Sequence, residues 1–193
     1  MNRMPVQKIA RILNVLVLIT LICNLIALFL VPVAVMQHDT LLGGIGSYLS
    51  HLLQPGEDNI VMAAVAGSFL AWVWVWEEPY NLMLALFLLF SGTCTAIILW
   101  QGRRVLQTIL LGTPFSLENA VSLHRAAVCA FLIAFAAAVR VVFNIILFQS
   151  IRPLLSYNAL FIPIFSIAGL LCLVMSALFR QAVALKEEND LTI

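Results

Sequence analysis

One apolar stretch decides the fold class of this chain. Residues 126–148 read AAVCAFLIAFAAAVRVVFNIILF and contain one charged side chain, that of Arg140. About 20 mainly apolar residues are enough for an α-helix to cross the hydrocarbon core of a bilayer. The stretch is therefore predicted to be a membrane-spanning helix.

Three further stretches meet the same criterion: residues 12–36, 82–100 and 158–179. The whole chain is 63% hydrophobic and 10% charged, whereas about a quarter of the residues in a soluble domain are charged. A soluble fold of this size cannot bury so much apolar surface. We therefore expect an all-α integral membrane protein, a four-transmembrane-helix bundle that forms a single membrane domain over residues 1–193.

The basic residues predict the orientation of these helices, because cytoplasmic loops carry an excess of Lys and Arg. With four spans, the cations near span ends fall on one side of the membrane; they are Arg3, Lys8, Arg11, Arg103, Arg104, Arg125, Arg180 and Lys186. Both termini are then cytoplasmic. An outer region covers residues 37–81, a cytoplasmic hairpin covers 101–125 and a cytoplasmic tail covers 180–193.

Residues 59–76 form a fifth apolar stretch of borderline length. If this stretch crossed the membrane, the 101–125 segment would face outward, which inverts the charge bias. We therefore expect an extra apolar segment that is interfacial or re-entrant on the outer side. Trp72, Trp74 and Trp76 suit the membrane interface, and their alternation also fits a short strand.

The polar segment between the second and third spans has the residues of a tight helical hairpin. Gly112 can end a helix in the left-handed conformation, and Pro114 prevents the helix from continuing. Ser116 suits the N-cap of the next helix. Asn119 occupies the third helical position, from which its side chain can reach back to the cap. The two helices are expected to protrude from the membrane and to meet at this turn.

The C-terminus carries an acidic cluster, Glu187, Glu188 and Asp190, which follows the expected end of the fourth helix near Lys186. One interpretation is a frayed, solvated terminus. The other is a docking peptide for a cytosolic partner or for the basic hairpin. The candidate partner-binding residues in the hairpin and tail are Pro114, Phe115, Asn119, Glu187, Glu188, Asn189, Asp190 and Leu191.

Three segments are similar to those of a known family. They are the turn motif Gly112–Pro114–Phe115–Asn119, the exit of the fourth span at Phe179–Arg180 and the terminal residues 188–193, ENDLTI. They resemble the bacterial four-span membrane-protein family catalogued as domain-of-unknown-function family 2975. The resemblance implies a multi-pass protein of the bacterial plasma membrane with no established activity. Members are often encoded beside a small helix-turn-helix regulator, which implies a cytosolic DNA-binding protein as partner.

Arg140 and Asn144 form a candidate intramembrane polar site, one helical turn apart on the same face. An ionisable residue at this depth is a functional candidate by default. In the structural interpretation, Arg140 extends to the outer headgroups or pairs with Glu77 or Glu78. Both interpretations are open from the sequence.

Several chemistries lack the residues that they require. No Asp or Glu lies in the four strong spans, which disfavours a proton-coupled carrier. The three His lie at or beyond span ends, so paired intramembrane haem ligands are missing. The four Cys form no C-x-x-C pair. We expect a protein that is not an enzyme, with no catalytic residues, no cofactor and no metal site.

Two functional hypotheses follow. The first is a non-enzymatic regulator that binds or sequesters a small cytosolic helix-turn-helix transcription factor. The alternative is a small permease or self-immunity membrane protein that uses Arg140 and Asn144 between its spans. The net charge of +1 argues against direct nucleic-acid binding, and the small residues in the spans leave a homodimer open.

Overall fold

The computed structural model describes residues 3–36, 79–113 and 115–190. Within these residues the chain forms four α-helices and one 3-10 turn, and no strand. The elements are α1 (Arg3–Met36), α2 (Pro79–Leu110), α3 (Leu117–Phe148), the turn Arg152–Leu155 and α4 (Tyr157–Asp190). All four helices are long and apolar enough to cross a membrane. The predicted all-α membrane fold is confirmed, whereas the apolar segment 59–76 lies outside the described residues.

Each helix contains one predicted span and is longer than that span. The helix α2 continues past Trp100 to Leu110, and α3 begins at Leu117, so both helices enter the predicted hairpin segment. The helix α4 ends at Asp190, four residues later than expected (190 − 186). Leu, Lys and Glu at positions 185–188 are good helix formers, which explains the extension.

The helix α2 ends at the predicted glycine. Gly112 has a φ of +81°, in the left-handed region that favours glycine. Its N–H donates to the Ile109 carbonyl at 3.2 Å, and the Thr113 N–H donates to the Thr108 carbonyl at 3.0 Å. These two bonds are those of a Schellman motif, which satisfies carbonyls that the helix leaves without partners. The predicted left-handed cap is confirmed.

The helix α3 begins at the predicted N-cap. Ser116 has extended backbone angles, φ −132° and ψ 149°, and its Oγ accepts from the Asn119 N–H at 3.3 Å. A serine oxygen in this position satisfies one of the amide groups at the start of a helix. Pro114, between the two helices, lies outside the described residues.

The helix α3 is the most buried of the four. In its most apolar stretch 44% of the residues are buried, compared with 17% or less in the other three helices. It packs along α4, and alanines supply much of its buried surface. Gly169 of α4 faces Phe131 of α3 so closely that an added Cβ would lie 3.1 Å from the ring. Small residues of this kind allow membrane helices to approach each other.

The chain comprises two compact units, one of Met1–Asn24 with Thr93–Ile193 and the other of Leu25–Gly92. In the second unit, an apolar core forms around Val31, Val35 and Ala85. The residues discussed below all belong to the first unit. In that unit, large apolar side chains such as Ile19 and Ile164 are exposed, which suits contact with lipid.

Candidate functional site

The hairpin is held together by a buried polar contact between its two helices. Asn119 of α3 is 0% exposed, and its Nδ2 donates to Thr108 Oγ1 of α2 at 2.6 Å. The Thr108 hydroxyl in turn donates to the Val105 carbonyl at 2.7 Å. The position of Asn119 would also allow its side chain to reach back to the N-cap, and its Nδ2 crosses to α2. The Asn119 side chain therefore joins the two helices below the turn.

A second buried contact attaches α4 to the same end of α3. Ser176 of α4 is buried, and its Oγ donates to the Ala120 carbonyl at 2.7 Å. Sequence reasoning did not identify Ser176 or Thr108. The only signal was a hydroxyl residue within an apolar helix. Such a residue can also bond within its own helix, as Thr20 does when its hydroxyl donates to the Leu16 carbonyl.

An aromatic contact joins the hairpin turn to the end of the fourth predicted span. The rings of Phe115 and Phe179 meet edge to face, with centroids 5.6 Å apart and planes at 70°. This is a favourable geometry for an aromatic pair. Phe115 is nevertheless 57% exposed, so one side of its ring is open to the surroundings. The hairpin turn and the base of the tail thus lie next to each other.

The acidic tail is a helical extension of α4. From Phe179 to Asp190 the helix continues without a break, which corresponds to about 16 Å at about 1.5 Å per residue. Glu187, Glu188 and Asn189 are exposed along this extension. Of the candidate partner-binding residues, Pro114 and Leu191 lie outside the described residues.

The intramembrane polar residues both face the interior of the helix packing. Arg140 is 5% exposed, and its Nη1 donates to Asn158 Oδ1 at the start of α4, at 3.2 Å. Asn144, one turn further along α3, is 6% exposed. Glu77 and Glu78, which the sequence suggests as partners of Arg140, lie outside the described residues. Asn158 was missed because it marked only the first residue of a predicted span.

The described residues contain no group of three His, Cys, Asp or Glu side chains placed to hold a metal ion. Cys94 and Cys129 lie in one buried cluster with Ile133, and both are free thiols. In this cluster the cysteines pack as small apolar residues between α2 and α3.

One comparison with known proteins gives a match. The model of a family described as "Protein of unknown function (DUF2975)" matches residues 75–193, more than half of the chain. The matched region contains the hairpin, the tail and Arg140. No match to the chain is found among curated proteins or among solved structures.

Proposed function

Since the chain belongs to the DUF2975 family of proteins of unknown function, we propose a function from its described contacts: a non-enzymatic membrane regulator that holds a small cytosolic DNA-binding protein. The observation that carries the proposal is the contact between Phe115 and Phe179. Through this contact, the hairpin turn lies at the base of the helical acidic tail, and the two segments together form a surface. We call this surface, Phe115 together with residues 180–190, the docking surface.

The docking surface combines the two properties that a DNA-binding partner would recognise. A protein that binds DNA carries a basic face for the phosphate backbone. Glu187 and Glu188 are exposed carboxylates on a helix, so they offer that face a complementary charge pattern. Phe115 supplies an exposed aromatic side chain at the base of the same helical extension, and aromatic residues often dominate the affinity of an interface. Binding at the membrane would then compete with binding to DNA for the same basic face.

Asn119 contributes to the docking surface indirectly. Its side chain is fully buried against Thr108, so it holds the hairpin in shape. The direct contacts at the turn are assigned to Phe115. The charge bias of the sequence predicts that the hairpin and the tail are cytoplasmic, where a cytosolic partner can reach them.

Photo-crosslinking from native membranes tests the proposal directly. A photoreactive phenylalanine analogue replaces Phe115 or Glu188 in the full-length chain. A matched control carries it at Phe135, which is exposed on α3 within the predicted span. We expect both docking-surface positions to give the same small basic protein, and the control to give none. Failure of both positions to give a protein product, or the same product from the control, would contradict the proposal.

Charge reversal tests the role of the acidic tail. The reversed variant carries Glu187→Lys, Glu188→Lys and Asp190→Lys. It is expected to release the partner from membranes into the soluble fraction, because the attraction between the tail and the partner's basic face becomes repulsion. The matched control keeps the charge at each position, with Glu187→Asp, Glu188→Asp and Asp190→Glu. If the partner stays with the membrane in the reversed variant, the tail is not part of the docking surface.

The burial of Arg140 and Asn144 on one face of α3 favours a second candidate function, a small permease or a self-immunity protein. A guanidinium and an amide that face the helix packing can bind a polar group between spans. In this case Arg140→Ala should cause a selective loss of transport or of protection while the protein remains at normal levels in the membrane. Unchanged phenotypes at normal membrane levels would exclude this role for Arg140.

A further inference from the structure

Two neighbouring clefts lie beside the hairpin, on the surface formed by α2 and α3. One cleft, of about 360 Å³, is lined by Trp100, Arg103, Arg104 and Gln107. The other, of about 250 Å³, is lined by Arg104, Leu117, Glu118, Val121, Ser122 and Arg125. Arg104 lines both clefts, so the two clefts adjoin at its side chain. We call them together the basic cleft.

The basic cleft carries a net positive charge. Its described lining residues include three guanidinium groups, those of Arg103, Arg104 and Arg125, and one carboxylate, that of Glu118, which gives these residues a net charge of +2 (+3 − 1). Arg104 Nη2 lies 3.2 Å from Glu118 Oε2, but both side chains are at least half exposed. An exposed ion pair of this kind is weak, so Arg104 can exchange its partner for a stronger acceptor.

One of the guanidinium groups also has an unused donor. The Nε of Arg103 is shielded from solvent and has no hydrogen-bond partner within the described part of the chain. Buried donors are normally paired in folded proteins. Arginine binds phosphate oxygens through two parallel hydrogen bonds, so the guanidinium group of Arg103 can pair with an anion in the basic cleft.

The depth of the basic cleft favours a lipid as the source of that anion. Trp100 is the last residue of the predicted span 82–100, and Arg125 directly precedes the span 126–148. Trp100 and Arg125 therefore lie at the level of the headgroups. Trp100 is 59% exposed, as is typical of an indole ring at the membrane interface.

An apolar face continues from the basic cleft toward the membrane interior. Ile97, Trp100 and Arg104 are spaced by three and four residues, so they follow one face of α2. Ile97 is exposed on this face. An acyl chain can lie along Ile97 and Trp100 while the headgroup reaches Arg104. A free phosphate ion would use only the polar end of this arrangement.

We propose that the basic cleft binds the phosphate diester headgroup of an anionic phospholipid. The guanidinium groups of Arg103, Arg104 and Arg125 donate to the phosphate oxygens, and Gln107 adds a neutral hydrogen bond. The ring of Trp100 packs against the glycerol backbone. Basic pockets between membrane helices bind anionic headgroups in this manner. The inference does not depend on the regulator proposed above.

The test measures lipid retention by the full-length protein in detergent, using native mass spectrometry. The protein is offered phosphatidylglycerol and phosphatidylcholine with identical acyl chains. The cleft variant carries Arg103→Gln, Arg104→Gln and Arg125→Gln. The control variant removes the same charge elsewhere, with Arg11→Gln, Arg152→Gln and Arg180→Gln, three exposed arginines that line neither cleft.

We expect the unmodified chain and the control variant to prefer phosphatidylglycerol. Each charge removed from the basic cleft should weaken that preference about fivefold, the factor that corresponds to about 1 kcal/mol per basic residue at a membrane surface. Equal loss in the control variant, or no loss in the cleft variant, would overturn the proposal. Displacement of the lipid by excess inorganic phosphate would overturn the lipid assignment, because the site would then bind free phosphate. Circular dichroism of each variant checks that the helices are intact.

Discussion

The hydrogen bond between Asn119 and Thr108 gives the sharpest test of how the hairpin is built. The Asn119 Nδ2 donates to Thr108 Oγ1 at 2.6 Å, and Asn119 is completely buried. Asn119→Ala removes the donor. Thr108→Val removes the acceptor and keeps the shape of the side chain. If the bond links α2 to α3, the effects of the two substitutions on stability must depend on each other.

The expected size of this dependence follows from the burial of the pair. A neutral hydrogen bond contributes about 1 kcal/mol net, and leaving a buried group without a partner costs about 1–3 kcal/mol. Each single substitution should therefore lower the free energy of unfolding by about 1–3 kcal/mol. In the double variant the bond is lost only once. Its loss of stability should fall short of the sum of the single losses by about 1 kcal/mol.

The assay is reversible unfolding of the full-length protein in mixed micelles, followed by the fluorescence of a label in the hairpin. Thr20→Val provides the matched control, because Thr20 donates to the Leu16 carbonyl of its own helix at 2.9 Å. Combined with Asn119→Ala, this control should be additive to within about 0.3–0.5 kcal/mol. A coupling between Asn119 and Thr108 no larger than that of the control would refute the assignment.

Three further predictions use the same unfolding measurement. Gly112→Ala should cost about 1–2 kcal/mol, because alanine is strained at a φ of +81°; an unchanged stability would mean that the turn does not use this conformation. Ser176→Ala should cost about 1 kcal/mol by removing the bond to the Ala120 carbonyl, and a larger effect of Thr20→Val would contradict the tertiary role of Ser176. Gly169→Leu should separate α3 from α4 and cost about 1–3 kcal/mol by overpacking. The control Leu170→Ala changes an exposed residue and should have little effect. Equal effects of the two substitutions would show that Gly169 does not set the helix spacing.

The hairpin and the tail were partly predictable, because some of their chemistry is local. Gly112 and Ser116 act on amide and carbonyl groups within a few residues, so their types and spacing predicted both caps of the hairpin. The helical extension of α4 also follows from the residue types after Lys186. The contact of Phe115 with Phe179 joins residues 64 positions apart (179 − 115), and no local pattern indicates such a pair.

For the intramembrane residues too, the sequence predicted the candidates but not their contacts. Depth in the membrane identified Arg140 and Asn144 as candidates, because a charge or an amide in a long apolar stretch is conspicuous. Their burial, and the bond from Arg140 to Asn158 of α4, depend on how α3 is rotated about its axis. That rotation is set by packing between helices.

The sequence by itself determined the number of described spans, their approximate ends and the turn between α2 and α3. These features depend on transfer of apolar residues into lipid and on backbone groups close in sequence. Only the tertiary structure decided which faces of the helices pack and which polar groups meet across them. Lipid and protein interior are similarly apolar, so hydrophobicity cannot distinguish a face that contacts lipid from one that contacts another helix. The partners of Asn119, Arg140 and Ser176 became visible only when the helices were placed side by side.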